Sequence, residues 1–136
     1  MGAEQPFEIA LSPGAADIDA LGHVNNVVYV RWIQDVAGAH WHTISSPEER
    51  AELAWVVVRH EIDYKAAARL GDALVARTWV GEHAGATCVR HTEIVRAGDR
   101  RLLMAARTTW CAVHPAQGRL RRIPDAIRSR FGPTSA

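Results

Sequence analysis

At 136 residues the chain is long enough to bury one core and short for two, so a single domain over 1–136 is expected. A formal charge of +1, with acids interleaved among the bases except at Arg119, Arg121 and Arg122, implies no nucleic-acid or other polyanion partner. No run approaches the roughly 20 apolar residues of a membrane span, no basic-then-apolar leader opens the chain, and Cys88 and Cys111 form no CxxC pair. Those three features read as a soluble, cytoplasmic protein without a disulfide framework.

Phe7, Ile9 and Leu11 alternate with polar or small residues and predict a short strand ending at Pro13-Gly14. A polar loop follows, and from Val28 the apolar residues fall in two columns of i+4 spacing: Val28, Trp32, Val36 and Tyr29, Ile33, Ala37, Trp41. With Arg31, Gln34 and Asp35 on the other side, they predict an amphipathic helix of about four turns. Ser46-Pro47-Glu48-Glu49 combines a serine cap, a proline at the first helical position and a glutamate at the third, and opens a short helix towards Leu53.

Beyond residue 54 the period becomes two. Val56, Val58, His60, Ile62 and Tyr64 are expected on one face of a strand, with Trp55, Val57, Arg59, Glu61 and Asp63 on the other. Further strands are predicted at 73–82, 86–96 and 101–113, divided by Gly71-Asp72, Gly85 and Gly98-Asp99, and a last helix from near Pro124 to Arg130. Strand, long helix, short helix and antiparallel meander make an α+β domain with one helix against one sheet. One helix cannot cover both faces of such a sheet, so the remaining apolar face, including some of Trp55, Trp79 and Trp110, is expected to pair with a second copy.

The densest chemistry lies before the long helix, in Asp19-Ala20-Leu21-Gly22-His23-Val24-Asn25-Asn26. A carboxylate, an imidazole and two carboxamides stand where unpaired backbone N–H groups and the helix dipole hold a developing negative charge. Taken alone, Asp19 suits an Asx turn or cap as well as catalysis, and Asn25 suits the helix cap. His60, His91 and His114 have no metal-ligand spacing, so neither metal nor cofactor is expected.

The pattern DxDxxGHVNNxxYxxW, spelled by Asp17 to Trp32, resembles the hotdog-fold acyl-CoA thioesterases of the 4-hydroxybenzoyl-CoA thioesterase family and the related acyl-carrier-protein thioesterases. The likeness continues through Arg59-His60-Glu61-Ile62-Asp63-Tyr64, Leu70-Gly71-Asp72 and Gly118-Arg119-Leu120-Arg121-Arg122-Ile123-Pro124. It implies a long central helix wrapped by a curved antiparallel sheet of five to six strands, in a homodimer or homotetramer with active sites at the subunit interface. It also implies hydrolysis of an acyl-CoA, with Asp19 as general base or nucleophile and the backbone N–H of about Asn26 as oxyanion donor, while Asp17 shapes the loop. His23 becomes an orienting or substrate-contacting group, Asn25, Asn26, Tyr29, Glu61 and Tyr64 candidates for substrate contact, and Arg121 and Arg122 candidates for the coenzyme A phosphates. In the carrier-protein branch an asparagine stands two positions after the aspartate and a histidine two beyond that; here the middle position is Leu21. Release of an acyl or polyketide chain from a carrier protein, and a non-catalytic acyl-thioester-binding module, are the alternative readings.

Overall fold

The computed structural model describes residues 2–133. Strand β1 spans Phe7–Leu11, helix α1 Asn26–Ile44, helix α2 Pro47–Glu52, strand β2 Ala54–Tyr64, strand β3 Leu74–Ala84, strand β4 Thr87–Arg96, strand β5 Leu102–Val113 and helix α3 Asp125–Phe131. All pairings are antiparallel and the five strands lie in the order β1-β3-β4-β5-β2. The sheet curves around α1 in the hotdog arrangement that the resemblance implied.

Helix α1 is 19 residues long, longer than its apolar columns predicted, because it begins at Asn26 under the Asn25 cap. It ends at Ile44, with Ser45 extended as its cap and Ser46, before Pro47, extended in turn. Its inward face buries Val28, Tyr29, Trp32, Ile33, Val36 and Ala37, and also His40, which the apolar pattern did not mark. With Leu74, Ile94 and Met104 from the sheet, the apolar residues from Val28 to Val36 form the larger of two core clusters. Each large side chain so buried contributes roughly 1.5–3 kcal/mol.

The smaller cluster lies at the other end of the sheet, where α3 lays Ile127 and Phe131 over Leu53, Val80, Cys88 and Ala112. This packing divides the three tryptophans between the two faces of the sheet. Trp55 and Trp110 pack with that cluster on the helix side, Trp55 edge-on to Trp41 at 5.5 Å and 6.0 Å from Phe131. The short C-terminal helix supplies the cover that the long one cannot. Trp79 alone of the three lies on the opposite face, stacked on His91 of the neighbouring strand at 5.3 Å.

Strand β2 departs from strict alternation. Its register with β5 runs Val57↔Trp110 and then Arg59↔Thr109, so Val58 is an extra, unpaired residue. The bulge changes which residues share a face: Trp55 and Val57 turn inward with His60 and Ile62, while Val56 and Val58 are 50% and 61% exposed. The face assignment predicted for Val56 and Val58 is therefore wrong, because period-two reading assumes an unbroken ladder.

Candidate active site

The loop before α1 is built by its own aspartates. Asp17 accepts from Gly14 N at 2.8 Å and from Arg31 Nη2 at 3.1 Å, and its carbonyl accepts from Asn25 N at 2.8 Å. The Gly14 N–H, and then the Arg31 guanidinium, hold the Asp17 carboxyl below the usual carboxylate range. Asp17 thus ties the loop to α1.

Asp19 sits in a tight reversal closed by the Ile18–Val24 bridge and by Asp19 N donating to His23 O at 2.8 Å. Gly22 completes the turn at φ +79°, a left-handed conformation that a side chain would strain. Asp19 Oδ1 accepts from Leu21 N at 2.9 Å and from His23 N at 3.2 Å. That is the Asx geometry that aspartate favours here, yet it occupies one oxygen only. Oδ2 makes no hydrogen bond to any described residue.

Asn25 is the helix cap: its side chain accepts from Val27 N at 3.0 Å and its carbonyl from Val28 N at 2.9 Å. Among the described residues the Asn26 N–H, first in the helix, has no acceptor. Tyr64 Oη donates to the Asn26 carbonyl at 3.2 Å and fixes the first turn against the end of β2. Tyr29 lies beneath, edge-on to Tyr64 at 5.5 Å, its hydroxyl accepting from Ala68 N at 3.1 Å.

Asp19, His23, Asn25, Asn26, Tyr29 and Tyr64 all line one open cavity of about 410 Å³. Lys65 lines it too and was missed in the sequence, although it is the only lysine of the chain. The His23 ring is half-buried and makes no hydrogen bond to a described residue. Three predicted contacts are not brought to this cavity within the protomer. Glu61 is exposed beside Arg59, 3.5 Å away, on the outward face of β2. Arg121 donates to the Glu52 carbonyl at 2.7 Å, and Arg122 pairs with Asp125 at 3.7 Å. Both arginines belong to the Trp55 end of β2, the cavity to the Tyr64 end, about 30 Å along the strand.

A family model described as the thioesterase-like superfamily matches residues 13–131, which include every element after β1. The chain belongs to the thioesterase-like superfamily. Over 84 residues, 62% of this chain, it is 27% identical to the chloroplastic acyl-(acyl-carrier-protein) hydrolase FATB3 of Cuphea viscosissima, and the match spans only 20% of that relative. Among solved structures it is similar to a 1,4-dihydroxy-2-naphthoyl-CoA thioesterase from Synechocystis, with a TM-score of 0.81, 18% identity and 93% and 96% of the two chains covered. A thioesterase from Thermus thermophilus, complexed with coenzyme A and Zn, gives 0.80 at 23% identity over 91% and 90%. At those identities the two structures establish the fold of this superfamily member.

Proposed function

We propose that the protein hydrolyses acyl-CoA thioesters at the Asp19 cavity. The observation that carries this reading is one cavity holding a carboxylate with one oxygen pinned and the other free, beside the unpartnered first N–H of a 19-residue helix. Oδ2 of Asp19 takes a proton from water as the water oxygen bonds to the thioester carbonyl carbon. The carbonyl electron pair moves onto oxygen, where the Asn26 N–H and the helix dipole hold it. Its return breaks the C–S bond, and the proton on Asp19 passes to the departing sulfur. No strong acid is required, because a thiol of pKa about 8.5 leaves readily as thiolate. His23 orients the water or the carbonyl from the cavity wall, Tyr29 and Tyr64 hold the helix start in place, and Lys65 offers a positive charge to an anionic substrate.

Release from an acyl carrier protein is the second reading, favoured by the name of the Cuphea relative. Leu21 speaks for coenzyme A: it stands at the cavity rim, 78% exposed, without the carboxamide expected of the carrier-protein branch. The expected result is that one acyl group is hydrolysed at least about 10-fold faster from coenzyme A than from a carrier protein, as measured by kcat/KM. The reverse preference would transfer the assignment to the carrier protein, and no turnover of either would remove both.

The active unit proposed is a homodimer joined along β2. This strand is a sheet edge of 11 residues, long and without proline, with Val56 and Val58 exposed. Antiparallel pairing with a second copy sets the Trp55 end of one strand against the Tyr64 end of the other. The second copy's Arg121 and Arg122 then approach the Asp19 cavity, where coenzyme A phosphates need cations, and Glu61 lies along the seam. Replacing Val56 and Val58 together by lysine is expected to shift the scattering mass in solution from two chains to one and to lower kcat/KM in parallel. An unchanged mass would exclude β2 as the seam.

A further inference from the structure

A second cavity, of about 310 Å³, lies between α1, the start of β2 and α3, away from Asp19. Its walls are apolar and aromatic, with Trp41, Trp55, Trp110 and Phe131 among them, and Arg90 of β4 lines it as well. Arg90 is 5% exposed and takes part in no ion pair of the described residues. A guanidinium in that position is an expensive feature, because a buried charge without a counter-charge gives up its hydration and gains no Coulombic partner in return.

The protein satisfies only part of this guanidinium. Nη1 donates to His40 Nδ1 at 2.8 Å and to Thr78 Oγ1 at 3.2 Å, both neutral acceptors. Nε and Nη2 make no hydrogen bond to a described residue, and neither is among the sealed polar atoms of the interior that lack a partner. These two nitrogens form the side-on edge of the guanidinium, whose parallel N–H groups match the two oxygens of a carboxylate.

Gly38 stands exposed at the mouth of this space. It lies within α1 on the cavity wall, and a Cβ built on it meets nothing within 4 Å. Its backbone is ordinary helix, so neither a turn nor close packing in the protomer requires glycine, which weakens a helix relative to alanine. The exposed Gln34 and His42 stand at the edge of the same cavity, which therefore opens to solvent.

We infer that this cavity binds the carboxylate of an organic acid with an apolar body, the free edge of Arg90 holding the two oxygens and the tryptophans enclosing the chain. Arg50 lines the cavity too, with Nη1 held by the Ser45 carbonyl at 2.6 Å and hydroxyl at 3.1 Å, whereas the paired free N–H groups of Arg90 among aromatic walls match the two oxygens of a carboxylate on an apolar body. Two sources share this chemistry: a free acid, as any thioester hydrolysis yields, and the distal carboxylate of a dicarboxylic acyl group whose thioester lies in the Asp19 cavity of a second copy, the Tyr64 end of the same protomer being out of its reach. The site is inferred from Arg90 and its cavity and does not depend on the role given to Asp19.

Calorimetric titration of the intact protein with octanoate and with octanamide tests it. Octanoate is expected to bind, with octanamide about 10- to 100-fold weaker and Arg90→Met removing the difference between them. Gly38→Leu, which fills the cavity from the helix without touching Arg90, is expected to abolish both titrations while leaving the circular dichroism and melting temperature near the parent's; it keeps the test valid should Arg90→Met fold poorly. Hydrolysis of octanoyl-CoA and of the CoA monothioester of octanedioic acid then separates the sources. A fall in kcat/KM of Arg90→Met confined to the dicarboxylic thioester identifies the distal carboxylate, and equal rates with lost octanoate binding identify the free acid. No octanoate binding to the parent, equal binding of acid and amide, or undiminished octanoate binding in Gly38→Leu would overturn the inference.

Discussion

Asp19→Asn is expected to lower kcat for acyl-CoA hydrolysis by about 10³-fold with little change in KM or melting temperature. The substitution is informative because of how Asp19 is held. Its Oδ1 accepts from Leu21 N and His23 N, and an asparagine oxygen accepts from the same two groups, so the reversal between Ile18 and Val24 survives. What changes is the other atom, where an amide nitrogen without basicity replaces Oδ2. Near-parental turnover in this variant would refute the mechanism, and a parallel loss of the melting transition would show that the Asx turn is the residue's main contribution. Repeated turnover of the parent in ¹⁸O-labelled water resolves the manner of attack. Label confined to the released acid fits a general base, whereas label accumulating in the Asp19 carboxylate fits direct attack through a mixed anhydride.

Acidification is expected to destabilise the protein between pH 6.5 and about 4, with His40 as the largest contributor. Burial, and then the adjacent Arg90 guanidinium, pull the His40 imidazole down from 6.5 to about 4. The ring is fully buried, stacked on Phe7 at 5.0 Å, and its Nδ1 accepts from Arg90, so the neutral ring carries its proton on Nε2. In this window the unfolded chain binds the proton that the folded chain refuses. The stability is therefore complete above pH 6.5 and declines as the pH falls towards 4, by about 3 kcal/mol in all. Burial lowers His60 and His91 as well, and they act in the same direction. The Glu49 and Asp17 carboxyls, lowered chiefly by Arg130 and by the Gly14 N–H respectively, lose their contributions as the pH falls below 4.5 and 3.8, from the acid end of the histidine window downwards. Urea unfolding at pH 7.5, 5.5 and 4.5 measures the slope. His40→Gln, which offers Arg90 an acceptor but does not titrate, is expected to flatten that slope by more than half; an unchanged slope would remove His40 as its source.

Features closed within a few residues were readable from the sequence. The capping box at Ser46 forms both of its bonds, Glu49 N to Ser46 Oγ at 3.1 Å and Ser46 N to Glu49 Oε1 at 2.9 Å, because both partners lie within one turn. The Asn25 cap, the Asp17 and Asp19 turns and the Gly71, Gly85 and Gly98 punctuation are local in the same sense. The amphipathic columns of α1 likewise needed only its own period.

Long-range features were not. The Val58 bulge exists only against β5, where two residues of one strand face one of the other, and the sequence of β2 alone continues its alternation through it. Trp55 lies beneath α3, an element that begins 70 residues further along the chain. Arg90 and His40 meet across a separation of 50 residues, and neither the strand pattern nor the helix pattern marks a cation and an imidazole as buried partners. Arg121 and Arg122 follow the cavity motif by about a hundred residues and lie at the far end of the same sheet, a separation set by the length of β2. By itself the sequence determined the elements, their order, and a carboxylate at a helix start, since these depend on contacts within a turn or on a regular period. The tertiary structure decided which side chains face one another, because strand register and helix placement are fixed by the packing of the whole sheet around α1.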